Sequence, residues 1–462
     1  MKTNAKYDTI NGGFLGNTIN EVTMKIKAAV LLVVAMLLSF VMPASALTDI
    51  QLVSETAVLI NGETGQVLYD KNMHQKMFPA SITKVMTGML ALENAAPDEV
   101  MTMSHYAVFS IGRGTSHIAL DENENITVEQ AMYALSIESA NDAANGLAEH
   151  VAGTTEDFAN MMNEKAKECG ALNTHFVNPH GLHDEEHYST AYDMARITMS
   201  AIKTEGFNTY FGETKYEIPP TNKQEETRYL RSSNDLLKGK YECEGIFMSK
   251  NGWTGEAKNT LITAAERNGV TLIAVVMKSG KTEEKFEDTA KLLNWGFENY
   301  KAHTISGEEI ASNAPTSIDI GETEDKVYLG TYDAPDVTVM IPSDMSADKI
   351  TFNYSTPVVS EDNTSVVAEY TILLDGMEIA GIEKGEIAAE LTVEKPASAQ
   401  VDLPTDDGGD GKKISPVVVG VIVVLVLIAV ICVALYIRLL QIRKRNRARR
   451  QARRIERMRS GR

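Results

Sequence analysis

Between residues 47 and 300 the apolar positions alternate between two periods. Ala57-Val-Leu-Ile-Asn-Gly-Glu-Thr-Gly-Gln-Val-Leu-Tyr69 holds two apolar runs around a glycine-bearing turn and predicts two strands. Thr127-x-x-Gln130 has the form of a capping box, so it predicts a helix start with Met132 and Leu135 behind it. Leu261 to Ala265 and Val270 to Met277 are β-branched runs, and Asn268-Gly269 between them predicts a tight hairpin. Glu283 to Tyr300 has helical spacing. Helices mixed with antiparallel strands predict an α+β domain over 47–300, with helices packed on a sheet.

From 301 to 395 the pattern shortens. Val327-Tyr-Leu329, Val337 to Ile341, Ile350 to Tyr354, Val366 to Leu374 and Leu391 to Val393 are short runs separated by turn residues. They predict a small all-β domain, with Asp375-Gly376 at a hairpin tip. Residues 396–415, rich in Asp and Gly, read as a flexible linker. No long internal repeat is present.

The two ends differ from this body. Met24-Lys-Ile-Lys27 precedes an apolar run, Ala28 to Met42, and then Ala44-Ser-Ala46. That order predicts a signal peptide over 1–46, cleaved after Ala46, with translation starting at Met24 because residues 1–23 are polar. Pro416 to Ile437 is 22 residues without a charge, enough to cross a hydrocarbon core of about 30 Å as a transmembrane helix. The tail 438–462 has 12 Lys/Arg and one Glu. Such asymmetry predicts a single-pass protein of the cell membrane, with an extracellular body and a cytoplasmic basic tail.

Charge sharpens this division. The net charge is −19, and removing the tail's +11 leaves −30 on residues 1–437. An acidic body argues against nucleic acid as a partner. Hydrophobic content of 44% with 23% charged residues excludes a wholly disordered or collagen-like chain. Three cysteines make no disulfide framework. Cys169 shares a helical face with Phe158, Met162 and Lys165, just before Gly170 as a helix stop, and reads as core. A Cys169–Cys243 bridge stays an open alternative. Met161-Met162 reads as core too.

The candidate chemistry begins at Ser81-Ile-Thr-Lys84, which opens an apolar-periodic stretch. In a helix Ser81 and Lys84 would share a face. Ser81 would also sit at the helix N-terminus, where N–H groups favour developing negative charge. A serine needs a base, and a lysine serves only when neutral, through burial or a neighbouring cation. Alone, this four-residue pattern carries little information. Ser139-Ala-Asn141 follows 58 residues later, and Lys250-Asn-Gly252 about 110 beyond that. S-x-x-K, S-x-N and K-T-G in this order form the motif set of serine acyl-transferases of the penicillin-binding type.

Residues 48 to about 390 therefore resemble the D-alanyl-D-alanine carboxypeptidases, the low-molecular-mass penicillin-binding proteins. The carrying stretches are Pro79-Ala-Ser-Ile-Thr-Lys84, Ser139-Ala-Asn-Asp-Ala-Ala144, Asn178-Pro-His-Gly-Leu-His-Asp184 with His187-Tyr-Ser-Thr-Ala191, Lys250-Asn-Gly-Trp-Thr254 and Leu292-Leu-Asn-Trp-Gly-Phe297. The resemblance implies a serine β-lactamase-like transpeptidase domain followed by a β-rich one. It implies that Ser81 attacks a peptidoglycan stem peptide ending in D-Ala-D-Ala, that Lys84 accepts the serine proton, and that Ser139 relays a proton to the leaving D-alanine. Asn141, Lys250, Asn251, Gly252 and Trp253 would bind substrate, with the oxyanion in the N–H groups of Ser81 and Trp253. β-Lactams would acylate the same serine. No cofactor is expected.

Two positions depart from the family pattern. Asn251 replaces the threonine that donates to the substrate carboxylate. Lys285 stands where many members have an arginine near the carboxylate end of the cleft, and it lacks the bidentate fork. A slower enzyme is expected. The rival readings are a membrane-tethered scaffold with weak or lost activity, and a β-lactamase or endopeptidase on the same fold. His180, His183 and His187 with Asp184 invite a metal, but Pro179 and Gly181 make the segment a loop, so loop hydrogen bonds are the better account. Ser279-Gly-Lys-Thr282 lacks the glycine a phosphate loop needs at 275, which is Val.

Overall fold

The computed structural model describes residues 50–393, apart from 113, 316, 320–325, 330–331 and 361–363. The expected signal peptide, linker, apolar membrane run and basic tail all lie outside the described residues. Among the described residues no helix is long and apolar enough to cross a membrane.

Thr56–Asn61 (β1) is buried at every position. It pairs with Val67–Lys71 (β2) on one side. Ile246–Thr254 (β3), Lys258–Arg267 (β4) and Val270–Ser279 (β5) complete an antiparallel sheet of order β2-β1-β5-β4-β3. The unbroken apolar run of β1, Ala57 to Ile60, is what a strand covered on both faces of a sheet requires. Val58, Ile60, Ile273 and Val275 face a core built with Lys84–Asn94 (α1), Val128–Tyr133 (α2), Asn141–Ala152 (α3), Thr155–Glu168 (α4) and Ala191–Ala201 (α5). Alternate residues Ala57, Leu59, Leu272 and Ala274 face Phe286, Leu292 and Leu293 of Thr282–Asn299 (α6). The predicted hairpin is present, with Asn268 and Gly269 both left-handed at φ 53° and 78°.

The predicted capping box at Thr127 and Gln130 is formed in both directions. Cys169 closes α4 as a buried residue, Gly170 follows at φ 75°, and Met162 is fully buried. Cys169 and Cys243 are free thiols, so the alternative of a bridge between them is not taken.

The helix expected to run through Tyr300 ends at Asn299. Tyr300–Ile305 (β6) instead pairs with Val337–Pro342 (β7). Only Ile305 of this segment is buried, so its own pattern carried little strand signal. Ile350–Tyr354 (β8), Ser365–Leu374 (β9) and Gly385–Val393 (β10) join 317–319 and 326–329 in a second antiparallel sheet, where β9 lies between β10 and β8. Ile305, Val339, Ile341, Ile372 and Ile387 fill its core. The buried Gln66, after β1, clamps this region to the first sheet. Its Nε2 donates to Met340 O at 2.7 Å and its Oε1 accepts from Met340 N at 2.7 Å.

Candidate active site

Ser81 lies in a tight turn, Ala80–Thr83, immediately before α1. Ala80 is held at φ 52°, a left-handed conformation that an alanine adopts only under constraint. The constraint is visible on both sides. Thr260 Oγ1 donates to Pro79 O at 2.9 Å, and Gly252 of β3 packs so closely that a Cβ there would stand 2.7 Å from Ser81 N. Gly252 thus lets the sheet edge close on the nucleophile turn. The helical start expected after Phe78-Pro79-Ala80 is present, as a short 3₁₀ turn leading into the α-helix.

Lys84 is fully buried. Its Nζ lies 3.0 Å from Ser81 Oγ, 2.7 Å from Asn141 Oδ1 and 2.7 Å from His180 O. Two of these neighbours are carbonyl oxygens and only accept. A neutral amine therefore spends both N–H groups on Asn141 and His180, and its lone pair is left facing the serine hydroxyl. Burial pulls the Lys84 pKa well below its ordinary value, and the Lys250 charge lowers it further, against Asp142. Geometry and electrostatics agree on a neutral lysine whose lone pair faces the serine hydroxyl.

Ser139 follows a π turn, Ala134–Glu138, at the end of α2 and is left-handed at φ 59°. Lys250 of β3 donates from Nζ to Ser139 Oγ at 2.9 Å and to Asn251 O at 3.1 Å. Burial, and then the charge of Lys285, bring the Lys250 pKa down to about 7. The structure thus sets two hydrogen-bonded groups side by side, Ser81–Lys84–Asn141 and Ser139–Lys250, near enough that the Lys250 charge acts on Lys84. β3 is an edge strand, so one side of its backbone is open to an extended peptide. Asn251 and Trp253 lie on it. Asn251 Nδ2 reaches Ser233 Oγ at 3.4 Å, and the Trp253 side chain is 65% exposed.

Lys285, on α6, is buried at 2% exposure with Nζ 3.5 Å from Asn259 Oδ1, and its charge is felt at Lys250. Burial brings its pKa down to about 8.

Several supporting residues were missed as such in the sequence. Gly181, at φ 82°, brings the His180 carbonyl onto Lys84, and a Cβ there would stand 1.9 Å from Ala80 O. Asp142, buried beside Asn141, accepts from the backbone N–H of Ile118, Leu120 and Ala143 and so fixes the backbone at 118–120. His187 Nδ1 accepts from Val177 N–H, which leaves Nε2–H to donate to Thr83 Oγ1 at 2.9 Å. Burial depresses the His187 pKa to about 3, so the ring is neutral. His180 Nδ1 accepts from Leu182 N–H. These are the loop hydrogen bonds expected of that segment. Asn178-Pro-His-Gly was the available signal, since Pro and Gly at fixed places mark a backbone that must follow one path.

A serine in a constrained turn, a buried neutral lysine beside it and a polar edge strand across the cleft define a serine acyl-enzyme hydrolase. Residues 42–281 match the model of the S11 peptidase family, D-alanyl-D-alanine carboxypeptidase. The chain is 36% identical over 294 residues to the D-alanyl-D-alanine carboxypeptidase DacF of Bacillus subtilis, covering 61% of this chain and 73% of the relative. It is 30% identical to the D-alanyl-D-alanine carboxypeptidase of a Streptomyces species, covering 55% of this chain and 91% of the relative. Its fold is similar to that of penicillin binding protein 5 from Haemophilus influenzae, with a TM-score of 0.59, 26% identity, and coverage of 75% of this chain and 98% of that one. The chain belongs to the D-alanyl-D-alanine carboxypeptidase family. It is a serine hydrolase with the α+β fold of the penicillin-binding proteins.

Proposed function

We propose that this carboxypeptidase removes the terminal D-alanine of a peptidoglycan stem pentapeptide through an acyl-enzyme on Ser81. The Lys84 amine, with its two N–H groups held by Asn141 and His180, is the observation that carries this reading. Lys84 takes the Ser81 proton as Oγ attacks the carbonyl of the penultimate D-alanine. The backbone N–H groups of Ser81 and Trp253 receive the developing oxyanion. Ser139, bridged to Lys250, passes a proton to the leaving D-alanine amine. Lys250 and Asn251 hold the terminal carboxylate, and the Asn141 amide orients the peptide. Water then cleaves the ester and regenerates Ser81. Penicillins acylate the same oxygen. Mass spectrometry of a pentapeptide should show loss of one D-alanine with the wild type and none with Ser81→Ala. No release by either protein, with both folded, would favour the scaffold reading that Asn251 motivates.

The body also works tethered at the outer face of the cell membrane, with 1–46 as signal and 416–437 as anchor. The support is the uncharged 22-residue run followed by 12 basic residues. Recovery of the full chain in the soluble fraction after alkaline extraction of membranes would refute the anchor.

A further inference from the structure

The bond from Lys250 Nζ to Ser139 Oγ spans the cleft at 2.9 Å, so the width of the cleft decides whether it forms. The segment 231–234 is fastened beside both of its ends. On the helical side Glu138, the residue before Ser139, accepts from Arg231 N–H at Oε1, at 2.7 Å. On the sheet side Asn234 Nδ2 donates to Oγ of Ser249, the residue before Lys250, at 2.8 Å. One short stretch of chain thus ties together the immediate neighbours of Ser139 and Lys250.

Both fastenings are held from behind. Asn234 and Ser249 are buried. Asn234 Oδ1 accepts from the backbone N–H of Leu236 and Leu237 at 3.1 and 3.3 Å, which turns its NH₂ toward Ser249. Ser249 Oγ donates in turn to Ile262 O of β4 at 3.0 Å. At the other end the strand Arg228–Arg231 is anchored by Arg228, which donates to the fully buried Glu124 carboxylate at 2.7 and 3.0 Å. Arg231 N–H is therefore a fixed donor, and its bond to a carboxylate is of the stronger kind. Ser139 needs such support, because it stands left-handed at φ 59° at the end of a π turn.

We propose, on the reading of function above, that Glu138 and Asn234 are positioning residues for proton delivery to the leaving D-alanine. They make 231–234 a spacer of fixed length between Ser139 and Lys250, and so keep Ser139 Oγ within reach of the leaving amine. Neither touches substrate, and each acts through its chain or hydrogen-bond neighbour. The approach of Asn251 to Ser233 Oγ, at 3.4 Å, is longer and forms no part of the spacer.

The test compares kcat/KM on two substrates with the same acyl group and the same terminal carboxylate. One is the pentapeptide ending in D-alanyl-D-alanine, the other its ester analogue ending in D-alanyl-D-lactate. The amine must gain a proton to leave, whereas the lactate oxygen leaves with far less help. General-acid assistance is worth about 10²- to 10⁴-fold, so loosening Ser139 by Glu138→Ala or Asn234→Ala should slow the amide about tenfold and the ester less than about threefold. Glu138→Gln keeps the acceptor and should restore the amide rate. Glu138 is the less buried of the two, so its variants decide the matter even if Asn234→Ala fails to fold. Equal slowing of amide and ester, unchanged rates, or a Glu138→Gln protein as slow as Glu138→Ala overturn the proposal. A wild type that cleaves neither substrate overturns the reading of function itself, and the positioning role with it.

Discussion

Lys250 reaches across the cleft from the sheet edge to place its Nζ 2.9 Å from Ser139 Oγ, 111 residues earlier in the chain. This contact joins the two sides of the site. In the proposed mechanism Lys84 must be neutral to accept a proton, so activity rises with pH through its lowered pKa. In the same mechanism Lys250 must be charged to hold the substrate carboxylate, and with a pKa brought down to about 7 by burial and by Lys285 that charge is lost as pH rises past 7. kcat/KM for a pentapeptide should therefore be bell-shaped, with its alkaline limb near 7. Lys250→Arg keeps the charge at all working pH values and should move that limb up by two units or more. A limb that stays in place would assign it to another group.

The same burial carries a stability cost. The folded pKa of Lys250, about 7, lies below the unfolded value of about 10.4, so between them the unfolded chain binds more protons and stability rises with pH. Below pH 7 the full cost of the buried charge is present, and above about pH 10 none is. Lys250→Met should accordingly stabilise the protein by roughly 1–3 kcal/mol at pH 6, and the gain should shrink toward zero by pH 10. Urea unfolding at the two pH values measures it. A destabilised variant at pH 6 would mean that the bond to Ser139 outweighs desolvation.

Gly181 offers a second handle. Its Cβ-less approach to Ala80 O sets the His180 carbonyl against Lys84. Gly181→Ala forces the two backbones apart at a left-handed φ that alanine resists. A shift of this loop by about 1 Å should slow acylation by a fluorescent penicillin at least a hundredfold. Gly255→Ala, where the new methyl meets nothing within 4 Å, is the matched control and should leave the rate unchanged.

Much of this was readable in the chain. Ser81, Lys84, Ser139, Asn141 and Lys250 announce themselves by spacing because the fold keeps its motifs at the ends of particular elements. The capping box at Thr127 and the Asn268-Gly269 turn were legible because one backbone conformation is far cheaper than its rivals there. The burial of Lys285 was not legible, because sequence gives its neighbours on α6 but not the depth at which α6 packs. The carbonyl of His180 could not be read at all: every residue has a carbonyl, and only the path of the 178–187 loop makes this one the acceptor for Lys84. Strand β6 was missed because its partner, β7, lies beyond any local window.

Asn251 gives the last prediction. The resemblance implies a threonine hydroxyl donating to the substrate carboxylate from a short branch. Here the amide extends one atom further and already reaches toward Ser233 Oγ at 3.4 Å. Asn251→Thr brings the donor back to the β-carbon and frees it from Ser233. A hydrogen bond to a carboxylate contributes about 1.5 kcal/mol, or tenfold, so kcat/KM for the pentapeptide should rise about tenfold. The gain should sit mainly in KM, because the bond is made to the ground-state carboxylate as well as in the transition state. Ser233→Ala, which only releases the amide, should give a smaller rise in the same direction. An unchanged or lower kcat/KM for Asn251→Thr would show that the longer amide already does the threonine's work.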